Sequence, residues 1–381
     1  MVSADLVYFK KSDPRIAAFS TDVIITSFPQ HVPDDEIQCE WITNTSTKAA
    51  ILNTPGYPAL MPKPPRVDLY EARPTPDMGG QGLFAKCNIK PGEVIFIERP
   101  LIVCSRQILT PGKFHFQTIT LIKNNKLNYL SGSEGLLEDA IARLPPESQT
   151  DFKDLHNTYI CNGFGHLLGI AKTNAFGIRN LSDSSDKETT YAGIYKIGSR
   201  INHRSVLLFH QDVANILLLS LLSCIPNVLY HFNLNSFSVQ FFAIREIKSG
   251  EQLFHSYCRA DKTLEERRAI FALHGFECDC RACANATPES DRLRKEFNTQ
   301  ITNFQSLALQ KPPLEVKQDI LEQALQLEKD MVKEGLKDHM RFGSLLVFIA
   351  WAYAMRGNQI EYLRYRVLGQ EIQDRYFKNQ D

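Results

Sequence analysis

The sequence predicts a chain that is mostly β through its middle, interrupted by a helical insert, and wholly helical toward its carboxyl end. Three observations carry this. Short alternating apolar runs separated by Pro-Gly or Ser-Gly turns occupy residues 82–104 and 237–257. Between them, Leu136, Leu137, Ile141 and Leu144 recur at helical spacing. Beyond residue 286 the apolar residues fall into helical stripes throughout.

Taken in order, residues 1–67 mix short apolar runs with polar stretches and end in the Pro-rich segment Pro55–Pro65, which reads as an arm or linker. Gly82-Leu-Phe-Ala-Lys-Cys, Glu93-Val-Ile-Phe-Ile-Glu and Leu101-Ile-Val-Cys read as strands, with Lys90-Pro-Gly as a turn between the first two. A helical insert is expected over about 115–160, its pattern ended by Pro145-Pro146. Strand character returns at Phe237-Ser-Val-Gln-Phe-Phe-Ala-Ile, and Lys248-Ser-Gly-Glu turns the chain into Gln252-Leu-Phe-His-Ser-Tyr. From Thr263 a helical pattern leads into a cysteine cluster over 259–286. In the tail, 287–381, one stripe is Ile320, Leu321, Ala324, Leu325 and Leu327, and another runs from Phe342 to Met355. No tandem repeat of convincing period is present.

The 381 residues suffice for two or three packed units. Lys+Arg and Asp+Glu each total 43, so no global field draws the chain to nucleic acid or an acidic membrane, and neither is an expected partner. The first twenty residues lack the apolar core of a signal peptide. No stretch reaches the about 18 uncharged apolar residues of a membrane span; the nearest, Val206–Leu222, carries His210, Gln211, Asp212 and Asn215. Asn44 and Asn180 stand in glycosylation-type triplets, which carry no weight without a secretory signal. Nine cysteines, three of them at 278, 280 and 283, point to reduced thiols and a metal rather than disulfides.

Four constellations carry chemistry. Cys278-Asp-Cys280-Arg-Ala-Cys283 can converge on a tetrahedral zinc, which wants four ligands, so a fourth must come from elsewhere in the fold. Gly80-Gln81-Gly82 lets backbone pass close to a ligand, although alone it is as readily a tight turn. No helix pattern follows it, which disfavours a dinucleotide phosphate loop. The third is Arg200-Ile-Asn202-His203, with Ser223-Cys-Ile-Pro-Asn227 beyond; the fourth is Gly250-Glu-Gln-Leu-Phe-His-Ser-Tyr257.

In order, these pieces resemble the SET family of protein lysine methyltransferases. Gly80-Gln-Gly-Leu-Phe-Ala with Ile89-Lys-Pro-Gly-Glu and Glu98-Arg-Pro-Leu resembles the family's first block. Arg200-Ile-Asn-His plus Ser-Cys-Ile-Pro-Asn resembles its RxNHSCxPN signature, and Ile247–Tyr257 the block that ends in the active-site tyrosine. His274-Gly-Phe-Glu-Cys-Asp-Cys-Arg-Ala-Cys resembles the post-SET cysteine cluster. The match covers roughly 68–285; its last block and the helical tail are similar to the SET–MYND branch and its fungal relatives, without a MYND finger.

The resemblance implies a SET fold over 68–258, of small β-sheets with a knot-like crossing, then a post-SET zinc region over 259–286. It implies S-adenosylmethionine and zinc as cofactors, a histone or other protein lysine as substrate, and a nuclear or cytoplasmic setting. Carried onto matching positions, Gly80, Gln81 and Gly82 would lie under the methionine end of the cofactor. Asn202 and His203 would bond it, Phe276 would stack on its adenine and Asn174 would contact its polar end. Tyr257 would stand where cofactor and substrate lysine meet, as the catalytic residue, and Cys224 would be the fourth zinc ligand. The reacting methyl is already electrophilic, so such a site needs mainly alignment of a neutral amine. A desolvated channel favours that amine over ammonium.

Within the signature, the nineteen residues Arg204–Leu222 separate His203 from Ser223. Their run Ile216-Leu-Leu-Leu-Ser-Leu-Leu can be spelled by a pyrimidine-rich tract, and Ala214-Asn215 by a branch-point sequence, so a translated intron of three nucleotides per residue fits. A tolerated loop is the alternative. The split also leaves open a catalytically inactive SET scaffold, or a zinc-dependent interaction protein without a cofactor site.

Overall fold

In a computed structural model of the chain, the described residues are 6–10, 12–13, 16, 22–30, 37–75, 80–109, 122–159, 165–182, 190–202, 224, 226–272, 277–278, 280–310 and 317–377. Residues 204–222, the expected insertion, lie outside this set, as do His203 and Phe276.

The amino-terminal segment is not the arm its composition predicts. It forms strands β1 (Leu6–Phe9), β2 (Val23–Phe28) and β3 (Cys39–Thr43), then helix α1 (Thr45–Leu52), whose first turn is capped by the Asn44 side chain accepting Thr47 N at 2.8 Å. Residues 23–28 and 39–43 are rich in β-branched and aromatic side chains that are almost all buried, so pairing overrides the loop-like composition around them.

Next come β4 (Tyr70–Pro74), β5 (Gln81–Ala85), β6 (Val94–Glu98) and β7 (Ile102–Ser105), the last three close to the expected strands. Helices α2 (Arg106–Leu109), α3 (Ile122–Ala142), α4 (Pro146–Lys153) and α5 (His166–Asn174) make up the insert. Pro145-Pro146 ends α3 as expected, but Pro146 also begins α4, because a proline in the first turn removes no hydrogen bond a helix would use. Strands β8 (Phe176–Ser182), β9 (Thr190–Ile194), β10 (Val228–Asn233) and β11 (Ser238–Ala243) follow, then helices α6 (Leu264–Ala272), α7 (Arg281–Ala284), α8 (Pro288–Ala308), α9 (Gln318–Lys333), α10 (Met340–Met355) and α11 (Gln359–Phe377).

The strands form three small sheets, in the orders β1-β2-β3-β7-β9-β8, β10-β11-β6 and β4-β5. Among these described strands, β3 and β7 alone pair in parallel. One core, built on Phe28, Trp41, Phe176, Tyr195, Phe237 and Phe241, lies among the sheets, and a second joins the large sheet to α3 and α5. The carboxyl-terminal helices have their own core, which receives Phe242 and Ile244 at the end of β11. Arg375 on α11 fastens the helices there by donating to Ile244 O at 3.1 Å. Helices α10 and α11 approach closely at Gly343 and Gly369, where a Cβ on either would lie 3.1–3.2 Å from the other's carbonyl oxygen. The stripe predicted in the tail is confirmed by buried Leu321, Ala324 and Leu327 on α9. No helix of the described residues is long and apolar enough to cross a membrane.

Candidate active site and metal centre

Residues 252–255 organise the site. Expected as a strand, among the described residues they pair through isolated bridges: Gln252 with Phe84 and, in parallel, Phe254 with Asn202. His255 N donates to Asn202 O at 3.1 Å. From the other side, Asn227 N and Val228 N donate to Phe254 O at 3.1 and 3.0 Å, and Phe254 N donates to Asn227 Oδ1 at 2.6 Å. Asn227 Nδ2 donates to Gln252 O at 2.8 Å. The two halves of the split signature thus meet on one stretch of backbone.

Gly80, Gln81 and Gly82 enter this centre along β5. Gly80 takes a positive φ of 71°, which glycine adopts without strain. Asn202 Nδ2 donates to Gln81 O at 3.2 Å, and Arg200 Nη1 to Gln81 Oε1 at 2.8 Å. A Cβ on Gly82 would collide with Gln252 Nε2 and lie 3.0 Å from Asn202 Nδ2, so no side chain fits. Gln252 Nε2 is buried with no hydrogen-bond partner among the described residues. An unsatisfied donor beside a side-chain-free stretch of backbone suits a polar ligand passing close to the strand. Sequence reasoning missed Gln252, since its place beside Gly82 depends on a non-local bridge.

Asn174, at the end of α5, donates from Nδ2 to His156 O at 2.7 Å and to Ile170 O at 2.8 Å. His156 lies beside Gly80, where a Cβ would be 3.7 Å from its ring, so Asn174 braces the rim of the glycine strand.

The turn that delivers Asn202, Gly198–Arg200, is held by Glu98 at the end of β6. The buried carboxylate accepts Ile197 N at 3.0 Å and also Gly198 N. Burial pushes the Glu98 carboxyl up to about 7, against the opposing pull of those two amides.

Tyr257 follows two residues after His255 and packs at the edge of the cysteine cluster. Its ring lies 6.4 Å from that of His255. His255 is in turn 5.1 Å from both Phe176 and Tyr230, two aromatic partners without a local sequence signal.

Cys224, Cys278, Cys280 and Cys283 are all buried, and their sulfurs lie within 4.8 Å of one another. Cys224 Sγ is 3.4 Å from Cys283 Sγ and 3.9 Å from Cys278 Sγ. A tetrahedral zinc with bonds of about 2.3 Å sets its ligand sulfurs about 3.8 Å apart, so these four thiols fit the ion. Arg267 of α6, fully buried, donates from Nε to Cys283 Sγ at 3.4 Å, and from its other nitrogens to Lys262 O and Ala282 O at 2.8 and 2.9 Å. Cys258 borders the cluster, its thiol held below its usual range by the Cys224 thiol despite burial, with help from Ser256, Arg267 and Arg294.

The family profile described as SET domain matches residues 80–258. Histone-lysine N-methyltransferase set5 of Schizosaccharomyces pombe is 27% identical over 233 residues, 61% of this chain and 54% of that protein. Histone-lysine N-methyltransferase SMYD3 of Mus musculus is 24% identical over 267 residues, covering 56% of this chain and 61% of its own. The chain therefore spans less than two thirds of the length of either relative. Among solved structures, the SET domain of LSMT bound to lysine and AdoHcy is 12% identical, covering 86% of this chain and 91% of that one, at a TM-score of 0.27. That likeness supplies no residue correspondences.

Proposed function

We propose, on the premise of the SET-domain profile that matches residues 80–258, that this chain is an S-adenosylmethionine-dependent protein lysine methyltransferase. The observation that carries the reading is the meeting of Gly80–Gly82, Asn202 and the 252–257 segment at one centre, with the buried donor Gln252 Nε2 left over. The names of the two curated relatives point the same way.

When bound, the cofactor supplies a methyl made electrophilic by its sulfonium. The chain's own residues supply place and dryness. Gly82 keeps side chains off the cofactor strand, and Gln252 and Asn202 offer amide hydrogens beside it. Tyr257 orients the incoming amine at the mouth of an aromatic pocket whose low polarity favours its neutral form. Phe276 and His203 are proposed as the adenine stack and a further cofactor contact, by the resemblance alone. Cys224, Cys278, Cys280 and Cys283 would hold a structural zinc that ties the 277–283 segment to the SET core. Substrates are proposed to be histone or other protein lysines, met in the nucleus or cytoplasm.

Calorimetry with S-adenosylmethionine, followed by transfer of labelled methyl to histones and to cell-extract proteins, tests the reading. Binding with transfer is the expected result. Binding without transfer to either pool leaves an inactive scaffold, and no binding at all removes the cofactor site.

A further inference from the structure

An imidazole lies among the aromatic rings near Tyr257. His255 sits between the Asn202–Phe254 bridge and Tyr257, its backbone pinned by the bond to Asn202 O. Its ring lies 5.1 Å from Phe176 on β8 and 5.1 Å from Tyr230 on β10, and those two rings are themselves 5.1 Å apart. Two strands distant in sequence, β8 and β10, therefore converge on this histidine, with the Tyr257 ring 6.4 Å away.

A substrate lysine arrives as an ammonium, pKa about 10.4, and cannot be methylated until it loses a proton. The neighbouring phenols are poor recipients. Tyr230 donates its hydroxyl to Gly177 O at 2.8 Å, and burial pushes both Tyr230 and Tyr195 above the ordinary phenol range. The titratable and charged groups about His255 are Tyr257 on its own segment, Tyr230 on β10, Tyr195 beyond Phe176, and Arg106 and Arg179, whose charges act on Tyr230.

Resting on the methyltransferase reading, we propose that His255 is a catalytic residue, the base that deprotonates the substrate lysine. The imidazole takes one proton from the ammonium and becomes imidazolium; the amine keeps the electron pair of that N–H bond. That pair forms the new N–C bond as the C–S bond breaks, its electrons passing to sulfur, which becomes a neutral thioether. The positive charge moves to the methylated nitrogen, and the imidazolium releases its proton to water. Partial desolvation among the aromatic rings brings the lysine toward a pKa of about 7–8, close enough to that of an ordinary histidine, about 6.5, for the transfer to proceed.

The test compares wild-type protein with H255F, which keeps an aromatic ring in the cluster, and H255Q, which keeps polarity, on a substrate the wild type methylates. At neutral pH both variants are expected to lose roughly 100-fold in kcat, the usual scale of a missing base, with S-adenosylmethionine Kd within about twofold of wild type. Their rates should climb as pH rises toward about 10, the range of a free lysine, whereas the wild-type rate levels off above the histidine range, and added imidazole should restore part of the H255F rate. A wild-type pH profile and kcat in either folded variant would show that the ring only packs. Loss of cofactor binding in both variants would make the role structural and overturn the proposal. If wild-type protein binds cofactor but transfers methyl at no pH, the methyltransferase reading itself falls and takes this assignment with it.

Discussion

Asn202 pairs with Phe254 as an isolated parallel bridge, while Asn227 takes the amide of that same Phe254 on its carboxamide at 2.6 Å. Asn202 and Asn227, on either side of the 204–222 segment, are therefore anchored to one residue. Deleting Arg204–Leu222 should leave both anchors in register while removing seven leucines, apolar side chains that favour association wherever they are exposed. We expect higher soluble yield and tighter S-adenosylmethionine binding by the deletion variant, read by calorimetry. Equal or weaker binding would count against it. Transcripts from this gene should include a spliced form joining His203 to Ser223.

Gly82→Ala drives a methyl into Gln252 Nε2 and sets it 2.9 Å from Thr75 Cγ2. Relief requires movement of Gln252 or of the strand, at a cost of about 1–3 kcal/mol. The expected outcome is a modest fall in melting temperature and a larger loss of S-adenosylmethionine affinity. A variant that binds the cofactor as wild type does would place the ligand elsewhere.

Arg267 is a fully buried cation whose hydrogen bonds among the described residues go to a thiol and two carbonyls. A zinc held by four thiolates carries a net negative charge, and the guanidinium offsets part of it. Arg267→Met should weaken zinc binding about 10–100-fold, as loss of an outer hydrogen bond to a ligand does elsewhere, with Arg267→Lys between the two. Competition with a chelating dye measures it. Unchanged affinity in the Met variant would mean that the arginine serves only the Lys262 and Ala282 carbonyls.

Glu98 has a carboxyl raised to about 7 by burial, above an unfolded value of about 4.3. The folded state thus holds this proton more tightly than the unfolded state. Its contribution is fully present below the unfolded value and is lost as pH rises through about 7. Stability of the wild type should fall by up to roughly 4 kcal/mol across that window, at about 1.36 kcal/mol for each pH unit between the two values. Glu98→Gln does not titrate, so its denaturation midpoint should vary less between about pH 4.5 and 7. Parallel curves for the two proteins would refute the assignment.

Local signals were legible in the sequence where a run of neighbouring residues carries the information. The glycines at 80 and 82, the strands at 81–85, 94–98 and 238–243, the close spacing of Cys278, Cys280 and Cys283, and the stripe through Leu321, Ala324 and Leu327 are all of this kind. Each depends on a spacing of about two to four residues, which the period of a strand, a helix or a ligand loop imposes directly. The role of Cys224 was available only through resemblance, because 54 positions separate it from Cys278; folding brings the two sulfurs to 3.9 Å.

Tertiary structure decided the rest. Residues 6–43 read as an arm because nothing local says which strand they join; besides β2, the partner of β3 is β7, far along the chain, and Trp41 between them is buried. The ring triangle of Phe176, Tyr230 and His255 and the stranded amide of Gln252 have the same origin. Composition and periodicity report which face of an element is apolar, whereas the identity of the neighbour across that face is set by long-range pairing and packing of the whole chain.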